Sequence, residues 1–417
     1  MAINNVNSKR TCFMIGSRSC PFQCTFCFHT VGKRYRQRSI EDVLTEIKYL
    51  KKNYAIKCVK MSDELFGKDK NRIKVFSNQL KKWGLEFTAF FRVDDIDEEL
   101  VDILRYSTCV SVDLGIESAD NNVLKSMRKM ITIEQTERAL KLLYNAQITF
   151  SGNFIFGDIA ETFESATKTL DWWESHKHYN VGLSFICTYP GAYIYEYAVQ
   201  NGIISDPVQF LKKGCPQINI SRMTSDELAS VARRICSLAY TTAKFNFKNE
   251  KVLFTDLKGY VTFQGECRKC GKENIFKNVN YFAGNNWISC SKCKEKYMPI
   301  LPNDLKLILF DNIRNLIVKY GKVAFWGITQ HTLKLFEEEV FSDKQIIFVD
   351  SSYSKQLIKI KGKTVFDPKR LKENNVKIVV CCYPKLISHI KDFCANLQIE
   401  NLRLINVPEL LIPNASC

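Results

Sequence analysis

Over residues 1–230, short apolar runs alternate with stretches whose apolar residues recur at helical spacing. Six runs read as β-strands: TCFMIGS from Thr11, IKCVKMS from Ile56, LEFTAFFRV from Leu85, CVSVDLGIE from Cys109, ITFSGNFIFG from Ile148 and VGLSFICTY from Val181. Between them the period changes. In residues 39–54, Ile40, Val43, Leu44, Ile47 and Leu50 fall on one helical face, and Ser39 stands where an N-cap hydroxyl would accept a backbone amide. Repeated strand-then-helix units predict a parallel sheet, because parallel neighbours are joined only by crossovers long enough to hold a helix. Six such strands predict a full or partial (β/α)6 barrel.

A second α/β block closes the chain. A helical pattern over 302–320 leads to strands expected at KVAFWG (322–327), QIIFVD (345–350), KIVVCCY (377–383) and LRLINV (402–407), with helices between. This suits a small open Rossmann-like sheet. Between the blocks lie a helical stretch, roughly 224–245, and a β-like segment with four cysteines. The expected division is residues 1–235, a helical linker and four-cysteine module over 236–300, and an α/β domain over 301–417.

Composition adds compartment and charge. A hydrophobic content of 46% and a charged content of 25% are those of a globular protein. MAINNVNSKR has no apolar signal stretch, and no apolar run approaches the roughly 18 residues of a membrane span, so the cytoplasm is the expected compartment and no membrane partner is expected. The formal net charge is +16, and residues 1–60 hold twelve Lys or Arg against three Asp or Glu. A polyanion would explain this excess, but so would a lysine-rich solvated face, and nucleic acid is the less favoured partner.

The 17 cysteines change the picture most. A reducing compartment keeps them from pairing as disulfides. Scattered ones in apolar segments, such as Cys58, Cys109 and Cys187, are expected in the core. Seven are clustered. Cys20, Cys24 and Cys27 lie within SCPFQCTFCFH, among Phe22, Phe26 and Phe28. Three thiolates can hold three irons of a four-iron cluster and leave the fourth open, whereas a structural zinc wants a fourth ligand, for which His29 is at hand.

The spacing Cys20-x3-Cys24-x2-Cys27, with Phe26 just before the last thiol, resembles the radical S-adenosylmethionine (SAM) superfamily. Tyr35-Arg36-Gln37-Arg38-Ser39-Ile40-Glu41 resembles the "YR-x-RS-x-E" segment of the branch that often carries a cobalamin-binding domain. Here the first strand is expected so near Met1 that no N-terminal cobalamin domain is expected. The resemblance runs through roughly residues 10–200, and its motifs fall at strand ends, where barrel sites are built. MSDELF (61–66) is similar to the segment near the methionine amino group, which brings in Ser62, Asp63 and Glu64. FFRVD places Arg92 at a strand end. LGIES (114–118) is similar to the motif whose acid meets the ribose hydroxyls, here Glu117 beside Ser118. MRK (127–129) puts Arg128 and Lys129 where basic residues meet the SAM carboxylate. FIFGDIAET (154–162) resembles FIFGLPGET, which contacts adenine through Phe156 and Gly157, with Asp158-Ile159-Ala160 replacing Leu-Pro-Gly. TYPG, with Tyr189, is similar to the sixth-strand motif.

The resemblance implies a [4Fe-4S] cluster whose open iron takes SAM, reductive cleavage to a 5′-deoxyadenosyl radical, and hydrogen abstraction from a small-molecule substrate. It also implies a low-potential electron donor such as flavodoxin or ferredoxin. The tail module points to a small polar metabolite, such as a sugar, aminoglycoside or nucleotide-sugar, undergoing epimerisation, dehydration, deoxygenation or oxidation. The alternatives are an RNA- or tRNA-modifying radical SAM enzyme and a non-catalytic Fe–S scaffold.

Cys267, Cys270, Cys290 and Cys293 form C-x2-C-x19-C-x2-C, the spacing of a zinc ribbon. A structural zinc is the favoured reading, and an auxiliary [4Fe-4S] cluster the alternative. In VAFWGITQHT (323–332) only Gly327 remains of a dinucleotide-binding GxGxxG, so a scaffold or docking role is favoured there, with His331 and Asp350 as the polar groups of interest.

Overall fold

The computed structural model describes residues 10–28, 32, 34–179, 181–241, 247–254, 260–280, 288–293, 295–297, 301–399 and 401–411. His29 lies outside them. The chain forms two compact units, Val6–Val231 and Ala232–Cys417.

In the first unit, β1 (Thr11–Met14), β2 (Cys58–Met61), β3 (Glu86–Arg92), β4 (Cys109–Glu117), β5 (Phe150–Phe156) and β6 (Gly182–Phe185) form one sheet in chain order. Every neighbouring pair is parallel. β1 and β6 are the two edges, so the sheet is an open partial barrel. Helices fill the crossovers, and short polar side chains start them. Ser39 Oγ accepts the Asp42 amide at 3.1 Å as expected, and Asp69, Asp97, Thr132 and Thr162 cap later helices in the same way. Each side chain satisfies an amide that the helix's own ladder leaves unpaired.

In the second unit the four expected strands appear as Val323–Trp326, Ile346–Val349, Ile378–Cys381 and Arg403–Asn406, all parallel. Their continuous apolar runs have a simple cause. Val323, Phe325, Ile346, Phe348 and Val380 pack into one core, and Ala324, Trp326, Ile347, Val349 and Val379 into another on the opposite face. Two further strands were not expected. Lys363–Phe366 joins the sheet in parallel, and Lys359–Ile360 pairs back on it through a turn at Lys361 and Gly362, with φ of 50° and 76°. Alternating lysines in this stretch hid a hairpin whose turn signal is a single glycine. Lys248–Phe254, Tyr260–Glu266 and Glu273–Asn280 form a three-stranded antiparallel sheet, and Ile288–Ser289 pairs with Lys296–Tyr297.

Cys58 is buried as expected and Cys109 half-buried, but Cys187 is exposed, because β6 ends at Phe185. Among the described residues no helix is long and apolar enough to cross a membrane.

Candidate active site and four-cysteine centre

The loop with Cys20, Cys24 and Cys27 runs between the two strands of a small ribbon, Ser17–Arg18 paired with Arg36–Gln37. Ser19 turns the chain with φ of 67°. The loop is stitched to the ends of the sheet: the Thr25 amide donates to Met127 O at 3.0 Å, and the Ile194 amide donates to Thr25 O at 3.1 Å. Burial raises the Cys24 thiol, Lys129 and Arg92 oppose the rise, and Glu117 and Cys20 add to it. Burial, then Cys24, Glu64 and Cys20, push Cys27 up to about 11.

Glu117 ends β4 in the left-handed region, φ 69°, and its Oε1 meets Lys129 Nζ at 2.6 Å with both side chains buried. Burial works against the charged lysine, but Glu117 and Cys24 hold its pKa above the usual value. Gly115 makes the room. A Cβ there would fall on Lys129 Nζ and come within 2.7 Å of Glu117 Oε1. Arg92, at the end of β3, ties the neighbouring pieces together. Its Nε meets Asp94 at 2.8 Å, a guanidinium nitrogen donates to Lys129 O at 2.8 Å, and the group lies 3.6 Å from the Phe22 ring centroid. Lys129 Nζ stands 6.0 Å from the Phe26 ring centroid.

The other candidate residues fall in differing surroundings. Asp63 accepts from Ser17 Oγ at 2.5 Å and from the Gly16 amide at 3.2 Å, so it shapes the entry to the cysteine loop. Ser62 is exposed beside it. The Ser118 hydroxyl is 3.3 Å from Thr169 Oγ1 and accepts the Asp120 amide, which makes it part of a helix-start network. Arg128 lies over Tyr193, 4.7 Å from its ring centroid. Phe156 is buried against Phe185. Tyr189 is exposed and packs on Phe28 of the cysteine loop, rings 5.6 Å apart.

Glu161 was missed. Its carboxylate accepts the Gly157 amide and is almost fully buried; burial, with Asp158 and Asp120 nearby, pushes its pKa up to about 8 from 4.5. The folded chain therefore keeps a proton that the unfolded chain has released. Stability is expected to fall as pH rises from 4.5 towards 8, with a slope approaching ~1.4 kcal/mol per pH unit. Glu161→Gln should flatten that slope in denaturant titrations run across the range. An unchanged slope would assign the dependence to other groups.

The two faces of the first sheet differ, unlike a parallel sheet covered on both sides: one is buried, and the other carries polar groups as well as the exposed Phe13 and Phe90. Phe87, Ala89, Phe91, Val112, Leu114 and Ile116 are buried on one face. On the other, the register sets Lys60 beside Thr88, Asp113 beside Ser151, and Asn153 beside Gly182. Ser151 donates to Asp113, Asn153 is exposed, and Thr88 Oγ1 is buried with no partner among the described residues. These groups offer hydrogen bonds to a polar ligand below the strand ends.

In the second unit, Cys267, Cys270, Cys290 and Cys293 bring their sulfurs within 4.8 Å of one another, the one such group of metal-ligating side chains among the described residues. Cys267–Cys293 and Cys270–Cys290 are each 3.6 Å apart. Two neighbours that sequence reading missed complete the shell. Tyr297 Oη is 3.2 Å from Cys267 Sγ, and Asn274 donates to Cys290 Sγ at 3.6 Å while accepting the Ser291 amide at 2.8 Å. At the later βα turn, Asp350 accepts the Ile328 amide at 2.7 Å and the Ser352 amide at 2.8 Å. The His331 side chain lies outside the described ones.

Residues 14–172 match the Radical SAM superfamily. An uncharacterized methyltransferase of Pyrococcus horikoshii is 30% identical over 247 residues, 56% of this chain and 52% of that protein. The anaerobic magnesium-protoporphyrin IX monomethyl ester cyclase of Rubrivivax gelatinosus is 33% identical over 178 residues, 40% of this chain and 31% of that protein. The radical S-adenosylmethionine methyltransferase TsrM of Kitasatospora setae has a TM-score of 0.42 at 21% identity, covering 46% of this chain and 39% of that one. The chain spans about half or less of the length of these relatives. The three-cysteine loop held at the ends of six parallel strands and the match over residues 14–172 lead to one assignment: that segment of the chain is a radical SAM domain.

Proposed function

We propose that Cys20, Cys24 and Cys27 hold a [4Fe-4S] cluster and that the enzyme abstracts a hydrogen atom from a small polar metabolite such as a sugar, aminoglycoside or nucleotide-sugar. The observation that carries the reading is the convergence of Arg92 and the Lys129–Glu117 ion pair on the cysteine loop, Arg92 lying 3.6 Å from the Phe22 ring centroid and Lys129 6.0 Å from that of Phe26. The donor set fits a cluster: three thiols on one loop, beside two buried cations that suit a negatively charged centre. When bound, the cluster supplies one electron to the sulfonium of SAM, whose C–S bond breaks to methionine and the radical. The chain's own residues position and screen. Lys129 and Arg92 offer positive charge to the SAM carboxylate, Glu117 offers acceptors to the ribose hydroxyls, and Phe22, Phe26 and Phe28 surround the thiols with apolar surface. Asp113, Ser151 and Asn153 on the less buried face of the sheet support a hydrogen-bonding substrate. Methyl transfer is the second reading, favoured by the likeness to the methyltransferase of Pyrococcus horikoshii.

The second unit is read as a zinc-ribbon-like module and a Rossmann-like scaffold. A tetrahedral zinc with Zn–S near 2.3 Å sets its sulfurs about 3.8 Å apart, close to the 3.6 Å seen. A cubane would hold its thiolates apart with its own irons and sulfides. Asp350, by filling the βα turn, favours a scaffold over a dinucleotide site.

Glu117→Gln tests the first reading, because it keeps the shape and removes the charge. Loss of a charged hydrogen bond costs about 1.5–3 kcal/mol, so calorimetry should show SAM binding weaker by about tenfold or more. Unchanged affinity would move the ribose contact elsewhere.

A further inference from the structure

We propose that Asp113 is the counter-ion for an amino group of the substrate, so that the molecule held below SAM is an amine-bearing metabolite such as an amino sugar or aminoglycoside. The inference rests on the reading above, which gives SAM the strand ends and the substrate the less buried face of the first sheet.

The register fixes where Asp113 stands. Side chains two apart on a strand share a face. On β4, Asp113 shares its face with Gly115, whose side-chain room is taken by the buried Glu117–Lys129 pair. Asp113 therefore stands roughly 7 Å below that pair, one step further along the strand. Phe90 and Ser151 flank Asp113 in register, and Asn153 flanks Gly115. Ser151 donates its hydroxyl to Asp113. The Asn153 side chain leans over β6, where a Cβ at Gly182 would meet its Oδ1. A half-buried carboxylate, two neutral polar groups and Phe90, 37% exposed, thus share one patch of the face.

Charge selects the ligand. Below the level of Arg92, the strands set Lys60, Glu86 and Asp113 on this face. Lys60 lies 5.8 Å from the Phe13 ring centroid, on the side of β2 away from Asp113. At about 4.8 Å per strand, β2 is itself about 10 Å from β4. Among the described residues, the Asp113 carboxylate meets the Ser151 hydroxyl and no cation. An ammonium would complete it with a charge-assisted hydrogen bond, and the exposed Phe90 ring beside it suits both an ammonium and the apolar side of a sugar ring. The diphosphate of a nucleotide-sugar would instead meet two carboxylates and one lysine.

Calorimetry on the full-length, anaerobically reconstituted protein, loaded with SAM and without reductant, tests the assignment. Neamine is the amine-bearing probe, maltose the neutral one and UDP-glucose the anionic one. Neamine should bind more tightly than either by about tenfold or more. Asp113→Asn keeps the shape and removes the charge. It should weaken neamine by about tenfold or more and leave the affinities for maltose and SAM as in the wild type. Asp113→Lys should reverse the order and favour UDP-glucose. An unchanged SAM affinity shows that each variant is folded. Equal neamine affinity in the wild type and Asp113→Asn would overturn the proposal. So would a wild type that holds maltose or UDP-glucose as tightly as neamine, or that binds none of the three. A loss of SAM affinity in Asp113→Asn would overturn it too, by giving the carboxylate to SAM. Failure of the wild type to bind SAM at all is a separate outcome: it would overturn the radical reading itself, and the counter-ion with it.

Discussion

Cys24→Ala is expected to abolish 5′-deoxyadenosine formation from SAM by anaerobically reconstituted, reduced protein. Cys24 sits within the loop stitched by the Thr25 amide to Met127 and by Ile194 to Thr25 O, and it feels Lys129, Glu117 and Arg92 as well as Cys20. A three-thiolate site has no spare ligand, so one loss leaves an iron without its protein bond. His29 is the nearest substitute by sequence. The size of the effect separates this reading from a merely structural one. A lost packing contact would lower stability by a few kcal/mol and leave measurable turnover. A lost cluster ligand should leave none, together with reduced iron and a weakened visible absorption band. Full activity in Cys24→Ala would reject the assignment of the loop, whatever the fold.

Removal of two of the four later thiols is the other large expected effect. Cys270→Ser with Cys293→Ser should cost the chain one zinc and unfold residues 247–297, while the first unit keeps its cluster and cleaves SAM. The module has little core of its own. Phe247, Phe263, Phe276 and Tyr297 are buried together, with the Phe247 and Tyr297 rings 4.2 Å apart, and Tyr297 reaches directly to Cys267. Metal binding in such a module becomes folding energy, on the order of 10–16 kcal/mol in small zinc sites. Two serines remove half of the soft ligands and leave Tyr297 and Asn274 facing an emptied shell. Limited proteolysis would locate the unfolding, and metal analysis would name the ion. About four irons and one zinc per chain is the expected content of the wild type. Close to eight irons and no zinc would make these cysteines a second redox site, contrary to the 3.6 Å sulfur spacing.

The sequence alone determined which segments form the first sheet and the four central parallel strands of the second, because these strands are apolar runs bounded by helical periodicity and good N-caps. It determined the two cysteine groups too, since ligand spacing is a local property of the chain. It could not show the hairpin at Lys359–Phe366 or the strands at Lys248 and Tyr260, where lysine and glutamate interrupt the pattern and only pairing partners decide. It placed Cys187 in the core by the company it keeps, and only the end of β6 at Phe185 exposed it. The tertiary structure decided how the candidate residues divide. Glu117 and Lys129 are twelve positions apart in the chain and 2.6 Å apart in space, and Gly115 is a glycine because that ion pair occupies its side-chain room. Ser118 and Asp63 sit in motifs that resemble binding segments, and the fold also engages them in a helix start and the entry to the cysteine loop. Residue type and spacing are written along the chain. Which polar atoms remain available to a ligand depends on long-range hydrogen bonds and burial, which exist only once the strands have come together.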